Sequence, residues 1–401
     1  MSDNKNFKFG PVGVIGAGTM GTGIVQIAAT AGHTVLLFDE NARLFERAIG
    51  SMKETFKKLV EKGKMTTDEA ADIIGRIHFA ENVSEFHDCE LVIEAIIEDL
   101  GIKQKVFIEL ESSTGSNTIL ATNTSSLSVT SIAGACKNPG RVLGLHFFNP
   151  APVMPLVEII PGLATNHENI VRVHDLMKAW KKSPVVVKDT PGFIVNRVAR
   201  SFYGEALRIY EESCYGLPEG QEGFATIDWA MRELGGFRMG PFELMDLIGN
   251  DINYKVTETV WNQFYTDPRY KPALTQKRMV EAGRLGRKTK RGYYNYADGV
   301  TAPKPKEDTE LGQKILRRIL VMLINEAVDA LYLKIASAQD LDLAMTKGVN
   351  YPKGLLAWCD ELGAKTVLDT MQSLYSEYQE ERYRPSVLLK QLAANNKKIL
   401  S

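Results

Sequence analysis

The sequence lacks the features typical of a membrane, nucleic-acid-binding or exported protein. No apolar run approaches the roughly 20 residues that span a bilayer. The first ten residues, MSDNKNFKFG, have neither the apolar stretch of a signal peptide nor the Arg-rich character of a transit peptide. The 48 Lys and Arg residues against 49 Asp and Glu residues leave a formal charge of -1, so no positive field attracts a phosphate backbone. We therefore expect a cytoplasmic protein with no membrane or nucleic-acid partner.

Cysteine is scarce as well, and no two cysteines stand at metal or redox spacing. Such a pattern is typical of reduced, mostly buried thiols, and it predicts no metal site. The 401 residues, 44% of them hydrophobic, can bury a large core and should form two or three domains. The four cysteines are Cys89, Cys136, Cys214 and Cys359.

A short apolar segment at residues 12–15 is typical of a buried strand and leads directly into GAGTMG. There Gly16, Gly18 and Gly21 stand at G-x-G-x-x-G spacing, and a helical pattern follows over residues 20–31. In such a unit the first glycine allows a tight turn, the second lets the backbone approach a pyrophosphate, and the third permits close packing of helix on strand. The pattern predicts a dinucleotide site at the N-terminus of the helix.

An acid ends the next predicted strand, because Asp39 closes the segment TVLLFD near the expected offset from the glycines. Its carboxylate would accept hydrogen bonds from the ribose hydroxyls and repel a 2′-phosphate, which predicts NAD rather than NADP. The alternative is an ordinary turn residue at the end of a strand.

More strand-like runs follow with helical patterns between several of them, which predicts a Rossmann-type, doubly wound α/β sheet. A helical insertion at 41–75 interrupts the pattern, and within it Thr66 and Glu69 are spaced as a capping box. Lysines at the end of its first helix form either a solvated basic face or a site for an anionic substrate. The predicted strands are Leu91–Ile97, Ile119–Thr122, Val142–Phe147, Val157–Ile160 and Val185–Val187.

One histidine follows an apolar strand and one acid follows a reversal of the chain. His146 comes after VLGL, so it should lie at the carboxyl end of a strand, where open α/β sheets bind ligands. Glu158 lies beyond the Pro-rich segment PAPVMP, which lets the chain fold back and bring the acid beside the imidazole. Such an acid would fix the ring tautomer and raise the basicity of the histidine toward an alcohol proton. The alternative is a hydrogen-bonded core histidine.

Two segments are rich in short polar side chains. ATNTSSL, at 121–127, follows a strand and contains Ser125, whereas in DTPGFIVNR, at 189–197, Asn196 lies inside a predicted helix. They can supply hydrogen-bond donors to a ligand, or they can serve as a helix cap and a tolerated helix residue. The spacing alone leaves both interpretations open.

Six ordered motifs resemble the L-3-hydroxyacyl-CoA dehydrogenase family, which includes bacterial 3-hydroxybutyryl-CoA dehydrogenases. They extend across roughly the first 295 residues, and they are GAGTMG, EAIIE, NTSS, HFFNP, VEII and PGFIVNR. The resemblance implies NAD-dependent oxidation of an L-3-hydroxyacyl-CoA to the 3-oxoacyl-CoA, and the reverse. It places the protein in fatty-acid metabolism of the β-oxidation type, with an acyl-CoA as its substrate.

By the same resemblance His146 is the general base and Glu158 its orienting partner. Ser125 and Asn196 are the donors near the 3-oxygen of the substrate. The positions that match coenzyme A contacts are Ser51 and Lys58, which favours the anionic-substrate interpretation of the lysine-rich helix. The positions that match NAD contacts are Gly16, Gly18, Gly21, Asp39, Glu98, Lys103, Ser125, Asn149 and Lys288.

The last hundred or so residues repeat the segment before them. Residues 225–249 align with residues 339–363 at an offset of 114, and RYKP recurs later as RYRP. The residue opposite Asn196 is Arg317, so the second copy lacks the catalytic amide and we predict a structural role for it. Other matched pairs are Asp228 with Asp342, Glu205 with Glu326, and Arg197 with Arg318.

We predict an NAD-binding domain at 1–188, a first all-α domain at 189–297, a linker at 298–308 and a second, degenerate all-α copy at 309–401. Multifunctional fatty-acid oxidation proteins resemble this layout in their dehydrogenase portion. Single-copy relatives pair two chains through their C-terminal helical domains. The second copy would cover that face and leave a monomer, or an oligomer built on another surface.

Two other functions are alternatives. A β-hydroxyacid dehydrogenase acting on a free acid shares the two-domain plan, but it relies on a catalytic lysine in the helix that here carries Asn196. A non-catalytic dinucleotide-binding protein, like some lens crystallins that resemble this family, would not need the set of Ser125, His146 and Glu158. The sequence leaves open the length of the acyl chain and whether it ends in a methyl group or a carboxylate.

Overall fold

In a computed structural model that describes residues 9–400, the chain forms two compact units. The first unit extends to Thr190 and combines a sheet with helices, whereas the second begins at Pro191 and is helical. This confirms the predicted fold class. The predicted domain and linker boundaries at 188, 297 and 308 stay predictions.

An eight-stranded sheet forms the centre of the first unit in the described part of the chain. Its strands are β1 Val12–Ile15, β2 Val35–Phe38, β3 Ile77–Phe79, β4 Leu91–Glu94, β5 Ile119–Thr122, β6 Val142–Phe147, β7 Leu156–Pro161 and β8 Ser183–Val186. They lie in the order β3-β2-β1-β4-β5-β6-β7-β8. Strands β1 to β6 are parallel, β7 is antiparallel to β6, and β8 is parallel to β7.

The strand pattern in the sequence locates most of these elements and differs in three details. The run predicted as Val185–Val187 is β8, which begins earlier, at Ser183, and ends at Val186. The run predicted as Leu91–Ile97 ends at Glu94, because the Glu94 carboxylate accepts a hydrogen bond from the Ile96 amide at 2.7 Å and turns the chain. Strand β3 has three residues, too few for a recognisable alternation. These details lie at the end of a strand or at the two edge strands of the sheet.

Helices cover both faces of the sheet. They are α1 Thr19–Thr30, α2 Ala42–Glu61, α3 Thr67–Gly75, α4 Leu100–Ser113, α5 Val129–Ala133 and α6 His167–Ala179. Successive strand residues point to opposite faces, so Val14 joins one buried apolar cluster and Ile15 joins the other. The capping box predicted at Thr66 and Glu69 is present at the start of α3.

The second unit consists of helices joined by turns and loops, and residues 282–308 form a long connection between α12 and α13. They are α7 Val195–Val198, α8 Arg200–Glu211, α9 Gly220–Trp229, α10 Pro241–Ile248, α11 Asn250–Gln263, α12 Leu274–Glu281, α13 Thr309–Tyr332, α14 Ala338–Gly348, α15 Leu355–Leu362, α16 Ala364–Tyr378 and α17 Val387–Asn395. Matched residues of the repeat have matched tasks. Asp228 accepts hydrogen bonds from the first amides of α10, and Asp342 does so for α15.

The two copies contact each other reciprocally through buried ion pairs. Arg197 Nε of the first copy donates to Glu326 of the second at 2.5 Å, and Arg318 Nε of the second donates to Glu205 of the first at 2.5 Å. The matched tyrosines of RYKP and RYRP repeat the exchange, since the Tyr270 hydroxyl donates to Glu326 and the Tyr383 hydroxyl donates to Glu205, each at 2.6 Å. Exchange of this kind defines an isologous interface, here formed within a single chain.

Replacing Arg318 by Met should lower the free energy of unfolding by about 3 to 5 kcal/mol, because Glu205 would stay buried without its cation. Guanidinium-induced unfolding followed by circular dichroism would measure the change. Arg317→Met is the matched control, since Arg317 is exposed and forms no ion pair within the described residues. A control loss equal to that of Arg318→Met would contradict a specific role for the pair.

Candidate active site

The glycine loop after β1 has a backbone that only glycine accommodates at two positions. Gly16 has φ of +98°, a left-handed conformation. A Cβ atom on Gly21 would lie 1.7 Å from the carbonyl oxygen of Gly16, whereas one on Gly18 would meet nothing within 4 Å. Gly18 also begins α1 without a side-chain cap. The loop and the first amides of α1 therefore fit the pyrophosphate of a dinucleotide.

Asp39 at the end of β2 holds this loop in place. Its carboxylate accepts hydrogen bonds from the Ala17 amide at 2.8 Å and from the Asn41 amide at 2.9 Å. Its side chain is half-buried beside the glycine turn. The contact with a ribose stays a prediction, and the position of the acid is compatible with it.

Glu98 organises the polar segment that follows β5. One carboxylate oxygen accepts hydrogen bonds from the Thr124 hydroxyl at 2.6 Å, the Ser125 amide at 3.0 Å and the Ser126 hydroxyl at 2.9 Å. Burial alone would raise the pKa of Glu98, but the nearby Lys103 ammonium and these donors outweigh burial and lower the pKa. The NTSS segment, ambiguous in the sequence, is thus fixed by an acid from the preceding strand-to-helix connection.

Lys103 lies inside a buried network. Its ammonium is 2.5 Å from Glu94 and 3.3 Å from Glu98, and its side chain is 1% exposed. Glu94, fully buried, also accepts a hydrogen bond from the Thr122 hydroxyl at 2.7 Å. The structure therefore gives Lys103 a supporting role beneath the loop, while its predicted contact with NAD stays a prediction.

His146 and Glu158 face each other as cross-strand neighbours of β6 and β7. The Nδ1 atom of His146 lies 2.7 Å from a carboxylate oxygen of Glu158. The two side chains are 8% and 0% exposed, and the ring of Phe148 packs 4.4 Å from the imidazole. The pair expected from the sequence is formed, in a site largely shielded from water.

Two residues that the sequence pattern did not single out support this pair. The ammonium of Lys182 donates to the carbonyls of Ala151 and Met154 at 2.6 and 2.9 Å, and so holds the Pro-rich reversal. Asn123, the first residue of NTSS, accepts a hydrogen bond from the Phe147 amide at 2.9 Å and ties the ends of β5 and β6 together. The NTSS motif includes Asn123 and could have identified it, whereas no motif in the sequence includes Lys182.

The other candidate residues lie on separate elements. Ser51 and Lys58 are exposed two turns apart on one face of α2. Asn149 is exposed in the turn after β6. In the second unit, Asn196 lies on α7, and Lys288 is ion-paired with Asp251 at 2.6 Å. Asn196 is half-buried, and the other four residues are exposed.

Residues 9–400 include no group of three His, Cys, Asp or Glu side chains that could hold a metal ion. No helix in the same range is both long and apolar enough to cross a membrane. All four cysteines are free thiols, and three of them are buried. Burial raises the pKa of the Cys89 and Cys359 thiols to about 12, so both stay protonated at neutral pH.

Comparison with known proteins identifies the family. The profile of the 3-hydroxyacyl-CoA dehydrogenase NAD-binding domain matches residues 11–190, and that of the C-terminal domain matches 192–296 and again 315–399. The chain belongs to the 3-hydroxyacyl-CoA dehydrogenase family. The predicted cofactor, NAD, and the predicted oxidation of a 3-hydroxyacyl-CoA are confirmed. The family match favours this function over the free-acid and non-catalytic alternatives.

Members of this family resemble the chain over different lengths. The 3-hydroxyadipyl-CoA dehydrogenase of Escherichia coli K12 is 38% identical, over 95% of this chain and 97% of that protein. The 3-hydroxybutyryl-CoA dehydrogenase of Clostridioides difficile is 41% identical over 71% of this chain and 98% of its own length. A crystal structure of an Escherichia coli K12 3-hydroxybutyryl-CoA dehydrogenase covers 97% of this chain with a TM-score of 0.89 and 36% identity.

Alanine at the two loop glycines should have different effects. Gly21→Ala forces a methyl group against a backbone oxygen and should lower the melting temperature by about 5 °C or more. Gly18→Ala has room and should stay within about 3 °C of the parent, yet weaken NAD binding where the backbone approaches the pyrophosphate. Thermal unfolding and NAD titration calorimetry would measure both. Unchanged NAD affinity in folded Gly18→Ala would argue against this loop as the site.

Proposed function

We propose that His146 is the general base for oxidation of the 3-hydroxyl group and that Glu158 orients it. The cross-strand contact of 2.7 Å between Nδ1 and the carboxylate carries this proposal. With Nδ1 engaged by the acid, Nε2 is the nitrogen that accepts the alcohol proton, and the carboxylate stabilises the imidazolium that forms. In the reverse direction the imidazolium donates that proton.

We further propose that Ser125 and Asn196 donate hydrogen bonds to the 3-oxygen as it becomes a carbonyl. Bound NAD would supply the hydride acceptor. The hydrogen bonds that Glu98 accepts hold the Ser125 segment rigid, so that its hydroxyl needs little reorganisation during the reaction. Ser51 and Lys58, exposed on α2, are the proposed contacts to coenzyme A, whose phosphates suit the lysine-rich end of this helix.

Replacing His146 by Gln should reduce kcat at least about 100-fold, the usual scale for loss of a general base, and leave NAD affinity nearly unchanged. Steady-state reduction of a 3-oxoacyl-CoA with NADH would give the rates, and calorimetry the affinity. His78→Gln, at an exposed histidine on β3, is the matched control and should keep full activity. Parent-like turnover by His146→Gln would remove His146 from the mechanism.

We also propose that the second helical copy replaces a partner subunit. The reciprocal Arg–Glu exchange supports this, because it has the form of an interface between two identical subunits. Once the face is covered from within the chain, a covalently linked copy wins over pairing between chains. We propose the domain boundaries at 188, 297 and 308 because the repeat assigns one helical copy to each side of the linker. Four free thiols favour the cytoplasm as the place where the protein works.

Light scattering should therefore find the full chain at its monomer mass of 44.5 kDa, unless it oligomerises through another surface. A truncation ending near Ala297 would expose the apolar face that the second copy covers, so it should dimerise or aggregate. A truncation that stays a well-behaved monomer would show that the second copy is not a built-in partner.

A further inference from the structure

A groove of about 440 Å³ lies on the second helical copy, and none of the candidate active-site residues lines it. Helices α13, α15 and α16 form its walls together with Leu234 of the first copy. The lining is mainly apolar, with Leu320 and Val367 buried and Leu362 39% exposed. Sites for small molecules typically measure ~300 to 1,000 Å³, so the groove has room for one.

The groove lies where the second copy matches the proposed substrate contact of the first. Arg317 lines it and stands opposite Asn196 in the repeat. Trp358, on α15, also lines it and matches Leu244 at the offset of 114. The second copy therefore has a cation where the first copy has an uncharged amide, and a guanidinium binds anions far better than an amide does.

The charge of Arg317 is not compensated by a neighbour. Its side chain is exposed and forms no ion pair or hydrogen bond within residues 9–400. The other two charged residues that line the groove, Lys314 and Glu310, pair with each other at 2.7 Å. Two further pairs flank the groove at α15 and α16, and they are Lys353 with Glu361 and Lys365 with Asp369. One positive charge thus remains beside an apolar wall.

Apolar side chains continue from this cation along α13. Leu320 and Val321 follow Arg317 by three and four residues, so they lie one turn further along the same face of the helix. The lining on α13 runs from Glu310 to Val321, about 16 Å along the axis. A hydrocarbon chain several carbons long can therefore follow a carboxylate bound by Arg317 without leaving the groove.

We propose that this groove is a second binding site, distinct from the substrate site, for the anion of a medium-chain fatty acid. The Arg317 guanidinium binds the carboxylate through two parallel hydrogen bonds, and Leu320 and Trp358 contact the chain. One uncompensated positive charge suits a monoanion, whereas the several phosphate groups of a coenzyme A ester would need more cations. The inference goes beyond the proposed function and does not depend on it, since no proposed catalytic residue lines the groove.

Calorimetric titration of sodium decanoate into the full-length protein tests this site. The parent should bind decanoate, and Arg317→Met should weaken the affinity about 10- to 100-fold, the range for hydrogen bonds to a charged group. Arg317→Lys should keep part of the affinity, because it retains the charge and loses the planar fork. The uncharged alcohol of the same chain length should bind the parent and Arg317→Met equally.

Trp358 gives a second, local signal, because its ring lines the groove and stacks on that of Phe237 at 5.7 Å. Decanoate should change the intrinsic fluorescence of the parent, and Trp358→Phe should remove most of that change. Trp261→Phe is the matched control and should leave the change intact, since Trp261 lines no part of the groove. A fluorescence change that survives in Trp358→Phe would contradict binding in this groove.

Arg238→Met is the control for charge, because Arg238 is also exposed and unpaired in the part of the chain that the structure describes, but lines a different cavity. It should leave the decanoate affinity unchanged, as should a saturating 3-oxoacyl-CoA. Displacement by that ester, equal affinity in parent and Arg317→Met, or no binding by the parent would each overturn the inference and leave the dehydrogenase intact. If a parent that binds no decanoate is also a dimer in light scattering, a second copy of the chain covers the groove instead.

Discussion

The register of the parallel strands is the constraint on which the candidate site depends. Backbone pairing aligns Ile15 with Phe38 on one side and with Glu94 on the other, and Glu94 in turn with Thr122. The glycine loop, the acid after β2 and the NTSS segment therefore all begin at one edge of the sheet. A slip of one residue would turn each terminal side chain to the opposite face. The pairing that buries the apolar strands thus also sets the chemistry at their ends.

Charges beneath this edge are buried, and they are tolerated because they are paired. Glu94 and Lys103 lose almost all contact with water, which is unfavourable unless good geometry and further hydrogen bonds compensate. The Thr122 hydroxyl and the Ile96 amide supply those bonds. Glu98 extends the network to the surface. Because its pKa is lowered, the ionised carboxylate stabilises the loop fully at pH values above the ordinary pKa of a glutamate. That stabilisation is lost as the pH falls through the lowered value.

Much of the sheet and of the site could be predicted from sequence because local patterns carry them. Strands β5 and β6 match the predicted runs, and the antiparallel return of the chain brings Glu158 beside His146. Tertiary contacts account for what was missed. Lys182 comes from a loop far along the chain to hold the reversal, and no spacing rule relates it to the carbonyls it binds. Lys103 matches a family contact in the sequence, yet only the fold shows that it is buried between two acids.

The repeat in the second unit keeps the packing of the interface in both copies and lets other matched positions differ. The pairs of Arg197 with Glu326 and Arg318 with Glu205 are equivalent, so the packing of the interface is preserved in both copies. Other matched positions differ, since Arg317 stands opposite Asn196 and Pro352 stands opposite Arg238. In two identical subunits every change to one side of the seam would appear on both. Within one chain the seam can be asymmetric, and the cavity beside it is lined by Arg238 of the first copy and by Asn350 and Tyr351 of the second.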